Sequence, residues 1–363
     1  MKTTTTAATV STARTILALD LGKYKTVACR YEPDSGEVEF RTVSTGRDEF
    51  RRLIEHHRPA VVVIEACTPA GWVHDLCGEL GVSCRVANTA SEAWKFKHAK
   101  RKTDRDDALR LAELAALGQL PGVTVPAKAV RERRALIATR QALVGRRVAV
   151  QNRIRAALLG QGLAAPRGHR AWTEVGRAGL AQLARPLAEC AAADLWRGLL
   201  DLALTELTQI EGLVALTEAK LDALARADAA TQLLQTVPGV GPRTAEAIAA
   251  HLDQPGRFTK GKQVSAYAGL VPRQFQSGES DRRGRITKRG PAVLRKLLVQ
   301  SAWAMLRYNQ WALQTWKRLT KGGTTRRKPA IVAIARRLLV RCWAMLRDGT
   351  PWRGPARTAS PGP

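Results

Sequence analysis

The sequence predicts an α/β layer at the N-terminal end and a mainly α-helical remainder. Three observations predict it. Short β-rich runs alternate with helical segments up to about residue 120 and then cease. From about residue 130 onward, apolar residues recur at helical spacing. Two runs, residues 14–20 and 60–65, are largely apolar and finish on an acid, as strands of a sheet covered on both faces can do.

Taken in order, residues 14–20 read as a buried strand, with Gly22 as the turn signal after it. Residues 26–31 and 38–43 are short strands separated by Glu-Pro-Asp-Ser-Gly, a turn composition. Residues 48–57 read as a helix with Phe50, Leu53 and Ile54 on one side. A second buried strand at 60–65, a helix at 72–80, a strand at 82–86 and a helix opening near Asp104 complete the layer.

Beyond Pro121-Gly122 the β-rich runs vanish. Residues 130–159 carry Leu136, Leu143, Val150 and Leu158 as an apolar stripe, with Arg133, Arg140, Arg147 and Arg153 among the polar positions. Residues 189–225 place Leu200, Leu207, Val214 and Leu221 seven apart. Two such helices joined by a Gly/Pro/Arg-rich connector read as an antiparallel arm or coiled coil suited to dimerisation, or as a bundle packing on its own chain. Next comes Pro238-Gly239-Val240-Gly241-Pro242 between two helices, the pattern of a helix-hairpin-helix element. There, Gly239 and Gly241 would let backbone N–H groups approach a phosphate; a plain turn is the alternative. Ser277 is expected in a polar loop between basic segments. Pro291 is expected in the first turn of a helix, and residues 329–347 form the last helix. The tail from Gly349 reads as loose.

Charge narrows the partners. The 363 residues include 59 Lys and Arg against 31 Asp and Glu, a net charge of +28. Between Arg282 and Arg347 there are 18 basic residues and no acid. A surplus of that size points to a polyanion, with nucleic acid first. The six cysteines form no C-x-x-C pair and read as buried thiols in a reducing compartment. No 18-residue apolar run and no leader-like start occur, so a cytoplasmic location away from membranes is expected.

The acids suggest the chemistry. Asp104 and Asp107 are three apart, so on a helix they share a face about 5–6 Å apart. A divalent cation between them would relieve their repulsion; the plain alternative is that acids favour a helix N-terminus. Asp20 and Glu65 close their strands, and in α/β sheets the functional crevice lies at the carboxyl ends of strands. Four such carboxylates could hold two Mg2+ ions that clamp the attacking and leaving oxygens of a phosphoryl transfer. Asp106 falls off that face and is expected to be exposed. His74 and His98 lack partners at helical spacing and read as structural. Ser277 stands before Gly278 with no Ser-His-Asp arrangement around it. It reads as a turn residue or as a nucleophile activated by nearby cations.

Together these segments resemble the insertion-sequence transposases of the one-ten type, including the one-one-one-one subgroup. The carrying motifs are Asp20 at its strand end, Ile64-Glu65-Ala66, Lys102-Thr103-Asp104 with Asp107-Ala108, Pro238-Gly239-Val240-Gly241 and Ala268-Gly269-Leu270-Val271-Pro272-Arg273-Gln274. Gln276-Ser277-Gly278, Ile286-Thr287-Lys288-Arg289-Gly290 and the tail segments Lys328-Pro329-Ala330 and Trp343-Ala344-Met345-Leu346 follow in family order. The resemblance implies a RuvC-like, RNase H-type domain over residues 14–125, behind a flexible start at 1–13. It further implies a coiled-coil arm over 126–230, a C-terminal domain over 231–348 and a loose tail over 349–363. It implies a D-E-D-D acid set at Asp20, Glu65, Asp104 and Asp107, and a catalytic serine at Ser277 that forms a phosphoserine link beside acids from another subunit. Gly239, Gly241, Arg273, Arg282, Arg283, Lys288 and Arg289 are the expected nucleic-acid contacts. Expected partners are Mg2+, donor and target double-stranded DNA, a structured bridge RNA that guides site choice, and further copies of the chain as a dimer or tetramer. Two weaker readings are a hydrolytic RuvC-like nuclease and a non-enzymatic DNA- or RNA-binding protein. Gln276, where Ser is frequent, and Leu-Asp-Leu-Gly-Lys around Asp20 depart from the family pattern without touching the assigned acids.

Overall fold

The structure is a computed structural model that describes residues 15–88, 103–164, 168–277 and 280–354. The chain divides into two compact units, Met1–Lys128 and Ala129–Pro363.

The first unit is built on a five-stranded mixed sheet. Its strands are β1 (Ile16–Leu21), β2 (Lys25–Tyr31), β3 (Val38–Ser44), β4 (Val61–Glu65) and β5 (Ser83–Ala87), in spatial order β3-β2-β1-β4-β5. β1 to β3 form an antiparallel meander, whereas β4 runs parallel to β1 and β5 parallel to β4. The two parallel neighbours need crossovers. α1 (Arg47–His57) and α2 (Ala70–Glu79) supply them, and α3 (Asp104–Ala116) follows β5. Side chains of a strand alternate between faces, and each face is filled. Leu17, Leu19, Val62 and Ile64 meet Phe50, Leu53 and Ile54 of α1 and Val73 and Leu76 of α2. Ile16, Ala18 and Val63 meet Ala108, Leu111 and Ala112 of α3. This double burial is why β1 and β4 are apolar without alternation up to Asp20 and Glu65 near their ends. The element order agrees with the sequence expectation.

The second unit is mostly helical. α4 (Lys128–Gly160) and α6 (Leu195–Arg226) lie side by side, with α5 (Glu174–Leu183) against them. Arg140 bonds Glu218 and Arg153 bonds Glu206, so one helix ascends as the other descends: the pair is antiparallel. Leu143, Val150 and Leu158 are buried with Leu200, Leu207 and Val214, as their spacing predicts. Near residue 136 the buried residue is Ile137, and Leu136 only packs beside it. The lower ends of both long helices enter a second core. There Ile137 and Leu221 join α7 (Ala229–Gln235), α8 (Pro242–Leu252), α9 (Gly261–Tyr267), α10 (Ala292–Tyr308), α11 (Gln310–Thr320) and α12 (Arg327–Asp348).

Four local expectations are corrected. Ser277 is the last residue of a strand rather than part of a loop: β6 (Pro272–Ser277) pairs with β7 (Ser280–Ile286) as an antiparallel ribbon. Pro291 is the N-cap of α10 rather than a residue of its first turn. Of the tail, residues 350–354 are described, and Trp352 among them is held: its ring meets Trp311 and its backbone N–H donates to Thr236, while residues 355–363 lie outside the described residues. Cys67 is exposed and Cys84 and Cys190 are half-buried, so only Cys29, Cys77 and Cys342 are the buried thiols expected. His98 lies outside the described residues.

Candidate active site

β1 and β4 pair in parallel with Leu19 opposite Ile64. The next step along that register sets Asp20 beside Glu65, on strands about 4.8 Å apart. Both acids have the parity of Ala18 and Val63, which pack under α3, so both lie on the α3 face. Both are half-buried. The Cys67 thiol reports on their shared neighbourhood. Burial chiefly raises its pKa, a backbone hydrogen bond from Ala70 opposes this, and the charges of Glu65 and Asp20 raise it further. One group thus feels both carboxylates.

α3 brings the second pair. Asp104, Asp107 or Ala108, Leu111 and Ala115 follow helical spacing, so the acids extend the stripe that packs on the sheet. Asp104 is exposed and Asp107 half-buried. Asp106 has a different job. Its carboxylate accepts from the Thr103 N–H at 3.2 Å and from the Thr103 hydroxyl at 2.7 Å, while the Asp106 N–H donates to Thr103 Oγ1 at 3.2 Å. This is a capping box, and it accounts for the third acid of the segment. The capping box accounts for Asp106, while Asp104 and Asp107 also stand in the first turn, where the helix dipole favours acids.

Among the described residues, no three His, Cys, Asp or Glu side chains stand close enough together to make a ready metal site. The four-carboxylate cluster expected from the sequence is not assembled, and what the sheet builds is the pair Asp20 and Glu65. That pair suits Mg2+ by donor chemistry. The ion takes hard oxygen donors and is commonly held by one or two carboxylates, with waters and substrate phosphates completing its shell.

The second unit carries Ser277 on the ribbon. Its backbone closes β6 opposite Ser280, and Gly278 and Glu279 lie outside the described residues. The ribbon's root is tied firmly. Thr287 N–H donates to Val271 O at 2.8 Å, and Lys288 N–H donates to Gly269 O at 3.1 Å. Gly269 has φ +65°, and a Cβ there would stand 2.1 Å from Arg289 O. Only glycine fits that approach. Arg295 fastens both sides: its Nη1 donates to Ala268 O, Arg289 O and Gly290 O at 3.1, 2.8 and 2.9 Å. Ala268-Gly269-Leu270 and Lys288-Arg289-Gly290 are therefore one knot under the ribbon. Sequence reasoning misses Arg295, since its three carbonyl partners come together only on folding.

The expected nucleic-acid contacts distribute as follows. Arg273 and Arg282 are exposed on the ribbon, and Arg283 pairs with Gln274 through the backbone. Lys288 and Arg289 are exposed at the knot. Gly239 and Gly241 lie in the turn between α7 and α8. Gly239 has φ +91°, and a Cβ there would stand 2.8 Å from Met305 Cα, so this glycine lets α10 press against the turn. Gly241 caps α8 with open space beside it.

The DEDD transposase family model matches residues 17–161, which contain all four acids. The model described as Transposase IS116/IS110/IS902 family matches residues 231–317, which contain Ser277. A probable family 20 transposase of Pseudomonas aeruginosa is 33% identical over 342 residues, covering 91% of this chain and 93% of the relative. The chain belongs to the IS110 transposase family. The transposase for insertion sequence element IS1111A of Coxiella burnetii is similar to this family member across 93% of the chain and 91% of its own length, at 30% identity. Among solved structures, T. thermophilus RuvC in complex with a Holliday junction substrate aligns with 30% of this transposase-family chain and 99% of its own, at 14% identity and a TM-score of 0.22. Among the described residues, no helix is long and apolar enough to cross a membrane.

Proposed function

We propose that this chain is the transposase of an insertion sequence, cutting and rejoining DNA with an acidic metal site on a RuvC-like sheet and a serine nucleophile. The observation that carries it is the β1–β4 register, which sets Asp20 beside Glu65 on the α3 face. Asp20 and Glu65 would hold a Mg2+ ion, with Asp104 and Asp107 at the start of α3 as the further carboxylates assigned to the site. The bound ion would supply positive charge to the phosphate under attack. The Ser277 hydroxyl attacks phosphorus, its proton leaves to solvent or a nearby base, and a serine–phosphate ester replaces the bond to the departing strand oxygen. Attack by a strand hydroxyl then reverses the exchange and rejoins DNA. The knot beneath β6 and β7 holds the serine's ribbon in place, which lowers the entropy lost in positioning it.

Sequence choice is assigned to a structured RNA that base-pairs with donor and target. Oligomerisation is assigned to the long helices. Leu195, Leu199, Leu202, Leu213 and Leu216 of α6 are exposed beside the stripe that faces α4, on one four-three phase whose intervening positions are Glu206 and Gln209. That is the seam a second copy would cover.

Trapping on denaturing gels tests the nucleophile. With Mg2+ and element-end DNA the wild type should form a protein–DNA adduct that survives detergent, and Ser277→Ala should not. Cleaved DNA with no adduct from the wild type would favour hydrolysis by water and overturn the serine's role. Sequencing the nucleic acid that copurifies tests guidance: a single discrete RNA is expected, and bulk cellular RNA alone would refute it.

A further inference from the structure

A cavity of about 550 Å³ opens between α9, α11 and α12 in the second unit. Its lining includes Lys262, Arg336, Arg337 and Arg341, with Trp311 and Val340 as apolar wall. No acid belongs to the lining, and among the described residues none of the four cations is paired with a carboxylate. The position of these residues follows from the helix. Ile331, Ile334, Ala335, Leu338, Leu339 and Cys342 form the buried stripe of α12. Arg336, Arg337, Val340 and Arg341 are the flank beside it, at one-turn spacing.

Three of the four cations are placed against the protein, while Lys262 is exposed at the cavity's edge. Arg341 lies over the Trp311 ring at 4.1 Å and the Trp352 ring at 4.9 Å, so it stands between two indoles. Trp352 is in turn tied by its backbone to Thr236. Arg336 and Arg337 are half-buried. Burial, and then the charge of Arg337, lowers the proton affinity of Arg341, so these like charges act on one another. Two half-buried arginines and two exposed cations around one cavity, with no acid in its lining, describe a site completed by an anion from outside.

We infer that this cavity is a phosphate-binding site for the backbone of a nucleic-acid strand, with Lys262, Arg336 and Arg337 on the phosphate and Trp311 with Arg341 as the wall for the adjoining sugar or base. The inference rests on the proposed action on nucleic acid and adds a site to it. A polymer is favoured over a free mononucleotide because five of the nine lining residues belong to the stretch from Arg282 to Arg347, with 18 basic residues and no acid. A strand passing through gains from that surrounding field, whereas a single small ion gains only from the cavity. The planar arginine forks suit phosphate oxygens in pairs, and the indoles offer the flat apolar surface that unpaired nucleotides use.

The test uses the full chain and labelled 20-nucleotide RNA, single-stranded DNA and duplex DNA, with affinity read by fluorescence anisotropy across salt concentrations. Arg336→Gln with Arg337→Gln should weaken binding of at least one polymer tenfold or more at 150 mM salt. It should also flatten the salt slope by about 1 to 2, at about 0.7–0.9 for each phosphate no longer neutralised. Lys317→Gln with Arg318→Gln removes the same charge from exposed positions of α11 and should weaken binding less than threefold. Equal losses in the two pairs would overturn the site, because net charge alone would then explain them. So would micromolar binding of AMP with unchanged polymer affinity in the first pair, which would mark a mononucleotide site. Thermal melting checks the fold, and Lys262→Gln with Arg337→Gln is the alternative variant should the adjacent pair not fold. A wild type that binds no polymer would sink the proposed function as well. A wild type that binds well, with unaltered affinity in the cavity variants, would sink this inference alone.

Discussion

At the scale of single residues, burial sorts the acids into different trades. Asp20 and Glu65 sit half-exposed at strand ends, where a solvated partner can reach them. Asp20→Asn or Glu65→Gln should therefore lower DNA cleavage a hundredfold or more while leaving anisotropy-measured DNA binding within threefold, and equal loss of both would argue for a structural role. Glu246 is the opposite case. It is 1% exposed on α8, and burial pushes its carboxyl up to about 7, against the opposing charges of Arg243, Arg133 and Arg140. Arg243 lies 3.4 Å away and is also bonded to Asp222, so it is not wholly committed to Glu246. A folded-state pKa above the unfolded 4.5 means the contribution is fully present below about pH 4.5 and is lost as pH rises through about 7. The difference amounts to roughly 3 kcal/mol at 1.36 kcal/mol per pH unit. Glu246→Gln should accordingly flatten the pH dependence of urea unfolding between pH 5 and 8, and parallel curves for variant and wild type would refute the assignment. Arg295 governs a third property. Arg295→Ala leaves three carbonyls of the ribbon's root without their donor and should reduce adduct formation at least tenfold with a small change in melting temperature. Ordinary adduct yield would show that the ribbon holds itself.

At the scale of elements, the exposed leucines of α6 invite a direct check. Leu202→Glu with Leu213→Glu should shift the particle mass toward the monomer by light scattering, since two charges would enter an apolar seam; an unchanged mass would place the contact elsewhere. The same scale explains what can be read from sequence. β1 and β4 are legible because two covered faces force unbroken apolar runs, and the long helices because Leu200, Leu207 and Val214 repeat every seven residues. The ribbon is not legible. Residues 272–276 are all exposed, and a strand stretch with no buried face has no reason to alternate apolar with polar residues. Asp20 and Glu65 can be found from their strand ends, and their adjacency follows once β4 is known to run beside β1. The split of Asp106 from Asp104 and Asp107 needs the capping geometry. The hold on Trp352 needs the tertiary structure, because a Pro/Gly/Arg-rich tail looks the same in sequence whether or not one indole is anchored.

At the scale of the whole molecule, charge and length act together. A net charge of +28 predicts affinity for DNA and RNA that falls steeply with salt, by about 0.9 per duplex phosphate contacted on a log–log plot; a flat response between 50 and 300 mM would refute broad backbone contact. Length acts through the two cores of the second unit. α4 and α6 bury Leu143 and Leu207 in one core and Ile137 and Leu221 in the other, so the same pair of rods crosses from the outer core into the body that carries the ribbon. At 1.5 Å per residue, the 33 residues of α4 span about 50 Å. Two copies clasped along those rods would be spaced as if by a ruler, and the gap between their serines would be an inherited dimension of the chain rather than a result of the DNA. Lengthening both rods by one heptad would keep the seam in phase and move the clasp outward by about 10 Å. The staggering of the cuts would then change while each cut remained possible.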